Sequence, residues 1–240
     1  MQIYKLKKNY FCIMIDFAKI DTTISISGVA VHQPVTVFTD ILISILCIYF
    51  FRILYLTKIT EGSVKHWTRF FLLLGFASIF GAASHAFFLV HEGFGYDLFW
   101  LPMQLLNIFS AFSAQQATVH SVLKGSISKN KWNTFSIIQL VLSSIAVFVF
   151  HSFLVVVINS AIALIPVMII HFNDAKKEVQ SIYVGWGIVI LFLTAIINGT
   201  KFSISEYFTY LDIAHVFIMI SLTVMFVGIK RKAIELTALS

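Results

Sequence analysis

The chain has 240 residues, of which 59% are hydrophobic and only 12% are charged, and its mean hydropathy is +0.91. Soluble domains carry about a quarter charged residues, so this composition excludes a soluble globular protein and indicates an integral membrane protein. The formal net charge of +6 requires no nucleic acid, because basic residues collect beside membrane spans as topological signals. We therefore expect membrane lipids, and no nucleic acid, among the partners of this chain.

Residues 1–34 form a predicted arm ahead of the first long apolar run. Lysines precede a short apolar stretch at residues 11–15, which an aspartate then interrupts. The stretch is too short for the apolar core of a signal peptide, and no small-residue cleavage pattern follows it. We interpret the arm as extracytoplasmic or interfacial. Its Cys12 and the Cys47 of the first apolar run do not form the pattern of a disulfide framework.

Long apolar runs predict the membrane spans, because a spanning helix needs roughly 20 mainly apolar residues. There are seven candidates, at residues 35–56, 67–90, 98–119, 132–150, 153–170, 181–198 and 207–229. Only His151 and Ser152 separate the fourth run from the fifth, and neither glycine nor proline marks a turn there. A single tilted helix across this point would leave six spans.

The basic residues favour seven spans over six. With seven, most loop lysines and arginines lie on one side of the membrane, and the other side has Lys201 in its loops plus the lysines of the arm. Basic loops mark the cytoplasmic side. Six spans would move Lys176, Lys177 and the basic tail outside. We predict an all-α, seven-transmembrane helix bundle in the inner or plasma membrane, with the amino terminus outside and the carboxyl terminus cytoplasmic. The bundle covers residues 35–229 and a basic cytoplasmic tail covers residues 230–240.

Three titratable side chains interrupt the predicted spans: His85 late in the second, and Asp212 and His215 early in the seventh. Ionisable groups inside a bilayer are costly unless they pair, bind an ion or face water. In this topology all three lie at a similar depth below the outer surface, and Asp212 and His215 share one helix face. Two imidazoles and a carboxylate are a ligand set of catalytic zinc, which activates a water molecule for hydrolysis.

Other interpretations of these residues stay open. The same side chains can hydrogen-bond to one another and fix helix packing, or form a proton relay, an ion pathway or a ligand pocket without metal. Gln104 and Asn107 supply amides from the third span. Asp40, near the start of the first span, is interpreted as a helix-start residue whose charge complements the helix dipole.

The sequence around these positions resembles a known superfamily. The segment GAASHAFFLVHEG carries the histidine of the second span, and YLDIAHVFIMISL carries the acid and the histidine of the seventh. With seven spans and an outside amino terminus, these segments are similar to the alkaline ceramidase / progestin and adipoQ receptor superfamily. Its members are seven-helix membrane proteins, several of them zinc-dependent lipid amide hydrolases. The resemblance implies Zn²⁺ as cofactor, with His85 and His215 among its ligands.

This chain departs from the superfamily pattern in two places. The superfamily has a second histidine four residues before the position of His215, where this chain has leucine, and Asp212 is the nearest polar residue instead. The superfamily serine one turn before the second-span histidine is a glycine here, which leaves Ser84 or Ser78 as imperfect substitutes, and we place Ser84 with Glu92 and Asp97 among the candidate catalytic residues. Asp97 corresponds loosely to the superfamily acid near the third helix.

Two functions of different classes follow from these patterns. The first is a zinc-dependent intramembrane hydrolase of a lipid amide or ester, with an outward-facing site between helices 2, 3 and 7 in which Glu92 or Asp97 moves a proton. The second is a nonenzymatic receptor, sensor or structural membrane protein whose His and Asp cluster binds a ligand or a proton. A resemblance to the microbial rhodopsins does not extend to retinal pumping, because the seventh span has no lysine before Lys230 for a Schiff base.

Overall fold

A computed structural model describes residues 22–87, 94–122, 125–176 and 178–238 of the chain. A two-stranded hairpin comes first, with β1 at Thr23–Ile26 and β2 at Val29–His32. The helices that follow are α1 Pro34–Leu56, α2 Gly62–Phe87, α3 Phe94–Ser121, α4 Ser126–Phe150, α5 Phe153–Asp174, α6 Val179–Thr200 and α7 Tyr210–Ala238. Apart from the hairpin, the described residues have the predicted all-helical fold.

Helix length and surface chemistry place the chain in a membrane. Within the described residues, six helices are long and apolar enough to cross a bilayer, and α3 is not among them. Large apolar side chains project outward, and Ile45, Phe150 and Ile196 are 60%, 68% and 62% exposed. Exposing so much apolar surface to water is energetically unfavourable, whereas in a bilayer lipid covers it. The chain is therefore a multi-pass membrane protein.

The helices pack in a closed ring. α1 packs on α2, α2 on α3, α3 on α5, α5 on α6 and α6 on α7, and α7 returns to α1, while α4 lies against α3 and α5. Phe50 of α1 stacks on Phe226 of α7 with 4.0 Å between ring centroids. Phe71 of α2 meets Phe50 edge-on at 5.4 Å. This aromatic contact holds together α1, α2 and α7, the three helices that carry the candidate site.

The fourth and fifth apolar runs form separate helices. α4 ends at Phe150, and His151 then takes a left-handed backbone conformation with φ 48°. Ser152 caps α5 because its hydroxyl accepts a hydrogen bond from the backbone N–H of Leu154 at 3.3 Å. The prediction of two helices rather than one tilted helix is confirmed.

Small residues let α6 and α7 approach closely. The hydroxyl of Ser221 on α7 donates to the backbone carbonyl of Gly187 on α6 at 2.6 Å. A Cβ atom on Gly228 would lie 2.7 Å from the carbonyl oxygen of Gln180. Lipid provides no hydrophobic driving force for helix association, so membrane helices associate through close packing contacts of this kind.

The predicted arm and tail both contain regular structure. Residues 22–33 of the arm include the hairpin, whose turn residues Ser27 and Gly28 have φ values of 51° and 83°. Two positive φ angles are typical of the tight turns that match the twist of a hairpin. The basic residues predicted as a tail continue α7 to Ala238. Residues 1–21 of the arm lie outside the described residues.

Candidate functional site

Asp212 is fully buried in the first turn of α7, and both of its carboxylate oxygens accept hydrogen bonds. Oδ2 accepts from the backbone N–H and the hydroxyl of Thr209 at 2.6 and 2.9 Å, and Oδ1 accepts from the hydroxyl of Thr36 at 2.8 Å. The Thr209 hydroxyl accepts in turn from the backbone N–H of Leu211 at 3.3 Å. This reciprocal pattern is a capping box, which satisfies the free N–H groups at a helix start. Asp212 therefore starts α7 and also binds it to α1.

A second hydrogen bond joins α1 and α7 one turn further on. The hydroxyl of Thr39 lies 2.7 Å from Nδ1 of His215. Thr36 and Thr39 are three residues apart on α1, as Asp212 and His215 are on α7, so each pair occupies one helix face. The two bonds set the register of two helices that run in the same direction.

The hydrogen bonds around Thr39 allow two arrangements of the protons at His215. The Thr39 hydroxyl has one proton, and both the backbone carbonyl of Thr36 at 3.0 Å and Nδ1 of His215 at 2.7 Å are within reach of it. When Thr39 donates to Thr36, Nδ1 of His215 carries the ring proton and donates to the Thr39 oxygen. Nε2 of the same ring faces Oδ1 of Asp40 at 3.6 Å. In this tautomer a neutral His215 ring directs a lone pair at the carboxyl group of Asp40.

Asp40 belongs to this cluster. α1 begins at Pro34, so Asp40 lies in its second turn, where it is only 6% exposed. Its carboxyl group packs on α2 at Gly81, where a Cβ atom would lie 3.2 Å from Oδ2. Among the described residues no hydrogen bond reaches Asp40, and its ion-pair partner is His215 when that ring is protonated. The interpretation of Asp40 as a helix-start residue is wrong, because α1 starts well before it.

His85 lies on α2 one turn after Gly81 and binds the start of α1. Its Nδ1 lies 2.7 Å from Oε1 of Gln33, and because an amide oxygen only accepts, Nδ1 donates this bond. Gln33 directly precedes α1 and has a left-handed backbone with φ 45°. His85 thus ties the end of α2 to the start of α1 through Gln33.

As placed, His85, Asp212 and His215 do not fit a zinc site. In the part of the chain that the structure describes, no three His, Cys, Asp or Glu side chains are positioned to hold an ion together. Zinc requires lone pairs directed at the metal. Both oxygens of Asp212 already accept hydrogen bonds from Thr209 and Thr36. Glu92, one of the predicted proton carriers, lies outside the described residues.

The polar groups of α3 support the turn between α4 and α5. Oδ1 of Asp97 lies 3.6 Å from Nδ1 of His151, and these side chains are 44% and 51% exposed. When the amide of the fully buried Gln104 is oriented to satisfy its neighbours, its nitrogen donates to the backbone carbonyl of Ser152 at 3.0 Å. Asp212 and His215 hydrogen-bond to side chains of one neighbouring helix, and that helix is α1. The sequence had predicted helix 3 as the neighbour in this position.

Ser84, predicted as a catalytic residue, is buried on α2 and is 4% exposed. Its hydroxyl has no hydrogen-bond partner within the described ranges. The sequence analysis missed Thr36, Thr39 and Thr209. Two patterns in the sequence identify these threonines. The T-x-x-D spacing before α7 is a capping-box pattern, and the two threonines of α1 share a helix face with Asp40.

A comparison of sequences assigns the chain to a family. Residues 35–234 match a family described as "Family of unknown function (DUF6962)". The chain belongs to this family. The range matched to DUF6962 contains Thr36, Asp40, Asp212 and His215 and begins after the hairpin. No curated protein and no solved structure shows detectable similarity to this DUF6962 member.

Proposed function

We propose that this protein is a proton-responsive membrane receptor or sensor in which Asp40 and His215 bind a proton between α1 and α7. The observation that carries the proposal is the hydrogen-bond order around His215. When Nδ1 donates to Thr39, Nε2 and the carboxyl group of Asp40 face each other as two acceptors unless a proton lies on one of them.

Burial makes that proton energetically important. Asp40 and Asp212 are 6% and 0% exposed, and an unpaired carboxylate in an apolar interior is costly. Three hydrogen bonds to Asp212 compensate its charge. Asp40 accepts none from the described residues, so it is neutralised either by its own proton or by a protonated His215. Asp40, Asp212 and His215 are titratable groups of this contact, and His85 lies one turn beyond Gly81 on α2.

The proton site is built into the contact between α1 and α7. His215 contacts Asp40 and Thr39 of α1 through its two ring nitrogens. A change of charge at this ring therefore acts directly on the packing of α7 against α1, while the bond from Thr36 to Asp212 holds the register one turn away. Such a coupling of local charge to helix packing is the requirement for a sensor.

For the topology we propose seven spans, with α3 as a crossing helix enclosed by its neighbours. The amino terminus is then outside and the basic end of α7 is cytoplasmic, as the loop lysines and arginines favour. Asp40, Asp212 and His215 lie in the outer half of this arrangement. The sensor thus responds to the proton concentration outside the cell or in the periplasm.

Infrared difference spectroscopy tests the proton site. The purified protein, reconstituted in lipid nanodiscs, is compared between acidic and alkaline buffer for the carbonyl stretch of a protonated carboxylic acid and for imidazole ring bands. We expect a carboxylic acid band that Asp40→Asn removes and that His215→Gln shifts or removes. Asp97→Asn is the matched control, since Asp97 is half-exposed beside His151, and this variant leaves the band in place.

A spectrum whose carboxylic acid and imidazole bands are the same in the wild type, Asp40→Asn and His215→Gln contradicts the proposal. Thermal unfolding of each variant, followed by circular dichroism, confirms that the compared proteins are folded.

The zinc-dependent lipid hydrolase implied by the superfamily resemblance stays a prediction with less support from the geometry. It requires His85 and His215, which contact Gln33 and Thr39, to turn together with Asp212 toward one ion. Metal content of the purified protein, measured by plasma mass spectrometry, distinguishes the two functions. One zinc per chain that His85→Ala and His215→Ala both lose favours the hydrolase, and its absence from all three proteins favours the sensor.

A further inference from the structure

The hairpin ahead of α1 has one apolar face and one polar face. Its register pairs Ile24 with Val31 and Ile26 with Val29 across the two strands. Directly opposed residues of an antiparallel pair project to the same side, and side chains alternate along each strand. The apolar hairpin face therefore consists of these four side chains. Thr23, Ser25, Ala30 and His32 form the other face.

Three of the four side chains of the apolar hairpin face are exposed, whereas Val31 is partly buried and β2 also contacts α2. Ile24, Ile26 and Val29 are 44%, 56% and 52% exposed. On the polar face, the hydroxyl of Thr23 lies 2.8 Å from Nδ1 of His32, at the base of the hairpin. A two-stranded hairpin is marginally stable in water, and exposure of an apolar face to water lowers its stability further. The hairpin therefore gains stability from an apolar environment on one side only.

The hairpin is attached at the membrane boundary. The backbone N–H of Gln33 donates to the carbonyl of Thr22 at 2.8 Å and closes the base of the hairpin, and α1 begins at the next residue, Pro34. α1 is long and apolar enough to span the bilayer. Phe38, in its second turn, is 59% exposed, so the lipid-facing surface of the protein begins within about two turns of the hairpin.

We propose that the apolar hairpin face lies in the interfacial layer of the bilayer and that phospholipids cover it. Residues 22–33 contain no Asp, Glu, Lys or Arg, so no full charge from those residues opposes entry into the headgroup layer. The unpaired backbone groups at the two strand edges remain satisfied there, because the interface contains water, whereas the hydrocarbon core does not. The hairpin thereby anchors the outer end of α1 next to the Asp40 site.

Site-directed fluorescence tests the contact with lipid. Cys12→Ser serves as the background, because Cys47 is fully buried and protected from labelling in the folded protein. Ile26→Cys places a polarity-sensitive fluorophore on the apolar face, and Ser25→Cys places the same fluorophore on the neighbouring position of the polar face. Both proteins are reconstituted in phosphatidylcholine vesicles, and the background variant corrects for labelling at Cys47.

We expect the Ile26→Cys label to emit at shorter wavelength and to be quenched by lipids that carry a nitroxide near the headgroup. We expect the Ser25→Cys label to be quenched by aqueous iodide instead. Equal quenching of the two labels by both agents overturns the proposal. So does a label at Ile26→Cys that neither agent reaches, because another protein surface then covers the face.

Discussion

Nε2 of His215 and Oδ1 of Asp40 lie 3.6 Å apart across the contact of α7 with α1, slightly beyond the range of a hydrogen bond. Thr39 holds the ring from its Nδ1 side, and Gly81 leaves space for the carboxyl group on the α2 side. A proton between the two groups draws them together, whereas two facing lone pairs repel. On the proposed function, protonation of this pair is therefore coupled to a small movement of α7 relative to α1.

Thr39→Val tests the anchor of the His215 ring. Valine has nearly the shape of threonine but offers no oxygen, so Nδ1 of His215 is left without its partner. We expect a loss of about 1–3 kcal/mol in the free energy of unfolding. Thr223→Val is the matched control, because the exposed Thr223 hydroxyl donates to Met219 of its own helix, and it changes stability by less than about 0.5 kcal/mol.

Thermal unfolding in detergent, followed by circular dichroism, compares the two threonine variants. Equal midpoints for Thr39→Val and Thr223→Val contradict a structural role of the bond from Thr39 to His215.

Asp212→Ala removes the acceptor of three hydrogen bonds at the start of α7. The backbone N–H and hydroxyl of Thr209 and the hydroxyl of Thr36 then lose their partner inside the protein. We expect destabilisation of about 3 kcal/mol or more, because each buried unpaired donor costs about 1–3 kcal/mol. Asp212→Asn keeps one carbonyl oxygen as an acceptor, so we expect a smaller loss in the free energy of unfolding. Chemical denaturation measures both, and an unchanged midpoint for Asp212→Ala contradicts the capping-box assignment.

Gly81→Ala tests whether α2 positions Asp40. The added methyl group lies 3.2 Å from Oδ2 of Asp40, which is tight, so the carboxyl group must move by a few tenths of an ångström. We expect the carboxylic acid band of Asp40 to shift in the infrared difference spectrum. Gly199→Ala has nothing within 4 Å of the new methyl group and leaves the band unchanged. Identical spectra for Gly81→Ala and the wild type contradict a close contact between α2 and Asp40.

Gly228→Ala tests the close packing of α6 and α7. Its methyl group meets the backbone carbonyl of Gln180 at 2.7 Å, and backbone cannot rotate away as a side chain does. Overpacking of this kind costs about 1–3 kcal/mol. Gly199→Ala, in the same helix pair but open around its Cβ position, is expected to be neutral or stabilising by up to about 1 kcal/mol. Unfolding midpoints in detergent compare them, and a Gly228→Ala midpoint at or above the wild type contradicts the packing.

Several features of the fold were accessible from the sequence. Apolar runs predicted every helix, and the position of His151 and Ser152 marked the end of α4 and the start of α5. The hairpin was also predictable, because Ile and Val alternate with small or polar residues on both sides of a Ser-Gly turn within residues 23–32. Interpreting residues 1–34 as one arm concealed this alternation.

The candidate site was only partly accessible. The spacing of Asp212 and His215 predicted that they share a face of α7. The role of Asp212 in the capping box was encoded locally by Thr209 three residues earlier. A similar predicted depth in the membrane and the superfamily resemblance grouped these two residues with His85 as zinc ligands, whereas their observed contacts are with Thr36 and Thr39 of α1.

The sequence by itself determined the membrane class, the helices and the residues that interrupt them, because backbone hydrogen bonds within a helix and the cost of polar groups in lipid are local properties. Only the tertiary structure decided that α1 packs beside α7, that Thr39 hydrogen-bonds to one ring nitrogen of His215, and that Asp40 faces the other. Those relations join residues about 175 positions apart. They depend on which helices pack together and in what register. The side-chain volumes of the whole bundle together determine that packing.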